Sequence, residues 1–191
     1  MPGNILNTAG GAVAAGALVV LVLLGVAVGS GQLDAVVAGG IVVRSLHVVA
    51  AMVWVGLIFF VNVIQFAALD EAVAADKAVV MRTIVPRAAR SFRMAANVTV
   101  LTGILLLLAL GYFTQRPPQT AIWVWLGTAG GLAMLGFVHG KISPALRVVL
   151  DPSGADPVRL AAARQTVRTY ARINLVLAWP VTLAMIAAAH G

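Results

Sequence analysis

Apolar residues run in five blocks of about 20, near 11–29, 41–66, 94–113, 121–140 and 173–190. That is the length a helix needs to span ~30 Å of hydrocarbon. The pattern predicts an all-α integral membrane protein, a bundle of five transmembrane helices forming a single membrane domain over residues 1–191. The first block follows an uncharged leader, "MPGNILNTAG", with neither a basic stretch nor a clear cleavage site. It therefore reads as a retained helix rather than a signal peptide.

The polar positions between the blocks set the expected topology. Lys77, Arg82, Arg87, Arg90, Arg93, Lys141, Arg147, Arg159, Arg164, Arg168 and Arg172 fall in the segments 67–93 and 141–172, whereas the other side holds only Arg44 and Arg116. By the positive-inside rule the N-terminus and both basic segments are cytoplasmic and the C-terminus is outside. Both basic segments carry helix formers with apolar residues on one side, so short interfacial helices are expected there. Asp156-Pro157 suits a helix start. The outer connections, "SGQLDAVVAGG" and "TQRPPQT", are short, and the second is a stiff proline turn.

Composition sharpens this picture. The chain is 61% hydrophobic and only 10% charged, with a mean hydropathy of +1.01, far from the profile of a soluble domain. The net charge of +7 follows from topology, with attraction to anionic lipid as a by-product, and no nucleic-acid partner is implied. There is no cysteine, which excludes disulfides, thiolate metal sites, CxxCH haem attachment and iron–sulfur ligation within these residues.

Polar groups at membrane depth default to a functional reading. On the second block Arg44, His47, Ala51, Trp54, Ile58, Asn62 and Gln65 recur every three or four residues, one helical stripe that should face the bundle interior. The fifth block repeats the idea with Arg172, Trp179, Leu183, Ile186 and His190, and Pro180 beside Trp179. At 1.5 Å per residue His47 lies ~9 Å from the outer end of its block, and His190 closes the outward-running fifth block. His139 lies ~27 Å along the inward-running fourth, near the cytoplasm. His47 and His190 can thus share a site that His139 cannot easily join.

Two histidines facing one another between transmembrane helices suit a b-type haem, because imidazole supplies an axial ligand and an apolar bundle houses the macrocycle. In that reading His47 and His190 bind the iron, Arg44 pairs with a propionate, and Trp54 and Trp179 flank the ring. No catalytic residue is evident. The plainer reading has these histidines bonding a neighbour or interfacial water, and the tryptophans packing or anchoring. His139, beside Gly140-Lys141, reads as an interfacial group. A second cofactor there would need a methionine, water or another chain for its other ligand.

The motifs resemble a known family. "RSLHVVAAMVWVG" follows the R-x-L-H-x-x-A-x-x-x-W-x-G helix of the urate oxidase N-terminal-domain family, the membrane portion of bacterial cytochrome c-linked urate oxidases. "FRMAANVTVLTGILLL", "WVWLGTAGGLAMLGFVHGKISPALR" and "AARQTVRTYARINLVLAWPVTLAMIAAAH" are similar to its later helices, in order, over roughly residues 40–190. A weaker similarity, mainly L-H-x(6)-W-x-G, extends to the copper-resistance D membrane domain and to the small haem-pathway protoporphyrinogen oxidases. The resemblance implies a bacterial cytoplasmic-membrane protein with haem and a redox partner. The family's full-length enzymes carry a C-terminal cytochrome c; these residues contain no cysteine, so the acceptor is expected to be another protein, such as a cytochrome c or a larger membrane complex. The fourth block has "LGTAGG" where the small protoporphyrinogen oxidases have a lysine, which argues against that activity. No polar purine pocket is evident, so urate chemistry is not carried over.

Three functions follow. The first is a haem b electron-transport protein, an oxidoreductase subunit rather than a complete enzyme, passing electrons between quinol or a partner enzyme and an acceptor at the outer face. The second is a non-redox accessory subunit that docks through small-residue faces such as "GGAVAAGALVVLVLLGVAVG". The third is copper import, for which Met52, Met94, Met134 and Met185 form no paired motif.

Overall fold

In the computed structural model, residues 7–111 and 121–190 are described, His190 by its backbone alone. All regular structure among the described residues is helical. Five helices are long and apolar enough to cross a membrane: α1 (Ala9–Gly29), α2 (Ala35–Glu71), α3 (Ala74–Ala109), α4 (Ala121–Leu150) and α5 (Pro157–His190). The architecture is that of a multi-pass membrane protein. The chain divides into two compact units, residues 1–43 and 44–191.

In the first unit, the Thr8 hydroxyl caps α1 by accepting from the Gly11 amide at 3.0 Å. No α1 residue is buried, as suits a helix whose solvent is lipid. The turn after it uses Gly31 at φ +73°, and Asp34 then caps α2 by accepting from the Val36 amide at 2.8 Å. α2 thus starts at Ala35, six residues before the expected 41, and the connection shrinks to a tight turn.

The second unit is a packed bundle. Its core comprises Trp54, Ile58, Ala95, Ala96, Met134, Val138 and Ala178, from α2, α3, α4 and α5. α4 and α5 share the most extensive interface. Gly130 explains how close they come: a Cβ there would run into Val181, so only a glycine admits that approach. The α2 stripe faces inward as its spacing predicts, with Trp54, Ile58 and Gln65 buried. The Asn62 amide donates to the Ile58 carbonyl at 2.9 Å and to the Ala171 carbonyl of α5 at 3.1 Å.

The basic connections are largely extensions of the spanning helices. Apolar hydropathy ends a membrane block, whereas nothing in the local sequence ends the helix. α2 passes through a π-helical segment at Phe60–Gln65 and α4 through another at Val138–Ile142. α3 is interrupted at Ile84, just before Pro86, which lacks an amide to donate. α5 starts where Asp156-Pro157 predicts, with the Asp156 carboxylate accepting from the Arg159 amide at 2.7 Å. Between α4 and α5 the Ser153 hydroxyl and amide donate to Asp151. They hold its carboxyl below the usual range. The expected proline turn with Arg116, and the last two residues of the 94–113 block, lie outside the described residues.

Candidate functional site

The site is built from α2 and α3 outward. His47 is half-buried, and its Nδ1 lies 2.8 Å from the Thr99 carbonyl and 3.2 Å from Thr102 Oγ1. A carbonyl only accepts, so Nδ1 carries the proton and donates. The nitrogen left with a free lone pair is Nε2. Thr99 and Thr102 are themselves fixed by helical back-bonding, Thr99 to the Ala95 carbonyl at 2.8 Å and Thr102 to the Val98 carbonyl at 2.6 Å. Gly103 makes room for the ring: a Cβ there would sit 3.0 Å from His47 Cε1.

His47 lines a cavity of about 570 Å³ between α2, α3, α4 and α5. Pockets for cofactors and drug-sized ligands are ~300–1,000 Å³. The walls are apolar, with Trp54 among them and Met185 on the α5 side. Met185 packs over Gly127 of α4, where a Cβ would be 2.8 Å from its terminal methyl. Met52, Ile104 and Leu132 line the cavity and are also exposed outside the bundle, so it opens sideways between helices. At the end nearer the basic connections Trp54 is only 3% exposed, its indole N–H has no partner, and its ring meets Phe92 edge-on at 6.5 Å.

The structure places the other expected site residues as follows. Arg44 is exposed, one turn before His47 and off the cavity wall. Trp179 is 67% exposed and packs edge-on against Phe59 at 5.8 Å rather than lining the cavity. The side chain of His190 lies outside the described residues, although the cavity reaches Ala189 just before it. Antiparallel register also bears on His190. Asn62 meets Ala171, and counting from that pair back along α2 and forward along α5 sets His47 level with residues near 186. Met185 is at that depth, and His190 lies one turn further out, ~6 Å by helical rise. His139 is exposed and donates from Nε2 to Asn97 Oδ1 at 2.8 Å.

Among the described side chains, the fifth-helix stripe read from sequence is largely exposed, with Ile186 also reaching the cavity wall. Trp179, Leu183 and Ile186 are all more than half exposed, whereas Ala171, Asn174, Ala178 and Ala184 are buried. Small residues let membrane helices approach, and large ones face lipid. Sequence reasoning weighed Met185 only among the methionines for copper and missed Thr99 and Thr102; the small-residue row on α5 was the signal that places Met185 on the cavity side.

Among the described residues no three His, Cys, Asp or Glu side chains converge. A haem needs only axial ligands, because the macrocycle supplies the other four donors. An anchored imidazole, a thioether at the same depth and glycine-lined apolar walls fit that group. No family model, curated protein or solved structure matches the chain.

Proposed function

We propose that this chain is a membrane-embedded haem b protein that passes electrons between quinol or a partner enzyme and an acceptor at the outer face of a bacterial cytoplasmic membrane. The observation that carries the reading is His47, held through Nδ1 in the wall of a large apolar cavity. Haem, when bound, supplies a one-electron couple. His47 would hold the haem iron through Nε2, and its bond to the Thr99 carbonyl keeps the ring oriented. Met185 offers its thioether from the opposing helix at the same depth. Trp54 closes the inner end, and the apolar walls exclude water. Resemblance of the His47 helix to the urate oxidase N-terminal-domain family adds support, and the distribution of basic residues supports cytoplasmic basic connections. His47→Ala should lose haem; full haem occupancy in that variant rejects the assignment.

One observation favours a second reading, Cu(I) binding. Met52, Met134 and Met185 line the same cavity as His47, and thioethers with imidazole suit that soft ion. Copper retained in place of haem after purification, and lost in Met134→Leu, would select it.

A further inference from the structure

A second cavity, of about 300 Å³, lies at the basic end of the bundle, between the inner ends of α2 and α4 and the basic portions of α3 and α5. Its walls are apolar, among them Phe66, Met81, Val85, Phe92, Ile142 and Leu146. Its charges are not balanced. Lys77, Arg93, Arg164 and Arg168 line it against one carboxylate, Asp70, a net charge of +3.

Asp70 is already engaged. It accepts from two Arg168 nitrogens, one of them at 2.8 Å, and the same guanidinium lies over the Phe66 ring, 5.0 Å from its centroid. Lys77 is the next cation close enough to Asp70 to act on it. Among the described residues Arg168–Asp70 is the only ion pair. Arg93, partly buried on α3, and Arg164, on α5, therefore reach the cavity from different helices without a carboxylate to meet. Cations beside low-dielectric walls call for an anion, and guanidinium groups match phosphate oxygens in their donor geometry.

We propose that this cavity binds an anionic phospholipid, with the phosphate between Arg93 and Arg164 and an acyl chain along the apolar walls. A free phosphate would gain nothing from Phe66, Val85 or Ile142. A neutral quinol head would leave the net positive charge unmatched. Basic pockets between transmembrane helices at the cytoplasmic border suit such head groups, and each basic residue contributes enough to change affinity about fivefold. The inference is independent of the haem reading, since the cavity shares no lining residue with the one at His47.

The test is thermal unfolding of the full chain in detergent with added phosphatidylglycerol, phosphatidylcholine of matched chains, or inorganic phosphate, together with native mass spectrometry. Phosphatidylglycerol should raise the melting temperature and remain bound, with phosphatidylcholine and inorganic phosphate giving no comparable shift. Arg164→Gln, at an exposed position, should weaken phosphatidylglycerol about fivefold, and addition of Arg93→Gln about 25-fold in all. Equal response to both lipids, an undiminished response in Arg164→Gln, or a full shift with inorganic phosphate alone would overturn the proposal.

Discussion

Nδ1 of His47 on α2 donates to the Thr99 carbonyl of α3 at 2.8 Å, across 52 residues of sequence. One hydrogen bond thereby settles which ring nitrogen is free, ties two membrane helices together, and aims the group on which the proposed chemistry rests. Thr102 Oγ1, at 3.2 Å, is a second acceptor for the same proton.

Removing that second acceptor should show in ligand affinity more than in folding. Thr102→Val keeps the Thr99 carbonyl bond, so we expect haem affinity to fall about tenfold, the low end for a group that orients a metal ligand. The melting transition should change by no more than about 1 kcal/mol. Haem titration of the apoprotein and thermal unfolding check both.

The α4–α5 interface gives a prediction about stability. A Cβ at Gly130 meets Val181, a branched side chain with no flexible end to move aside. Gly130→Ala should cost about 1–3 kcal/mol by overpacking, seen as a lower melting temperature. Gly127→Ala meets only the terminal methyl, thioether and adjacent methylene of Met185 and should cost less, because methionine repacks readily.

Met185 should set the redox potential. Thioether ligation raises the potential of a haem relative to imidazole. Met185→His should therefore lower the midpoint, and Met185→Leu should yield a five-coordinate spectrum that binds carbon monoxide. A potentiometric titration of the two variants unchanged from the parent would remove Met185 from the iron.

The five spans and the inward stripe on α2 were legible in the sequence because lipid imposes length and hydropathy on a helix. Helix ends were not, since Ala35 and the basic extensions continue helices past the apolar blocks. The α5 face was misread for a physical reason. Spacing of three or four picks out Trp179, Leu183 and Ile186 as readily as Ala171, Asn174 and Ala178, and in a membrane the small-residue row is the one that packs. His47 was legible as a polar group within an apolar block. Its partner Thr99 was not, because the acceptor is a backbone carbonyl and leaves no trace in side-chain identity.

The most direct test of the central claim is a reduced-minus-oxidised visible spectrum of the detergent-purified chain, expressed with ample haem, with a pyridine extraction to count the cofactor. The account predicts a sharp alpha band and about one haem b per chain. A featureless spectrum under those conditions would contradict it and leave the His47 cavity to another ligand.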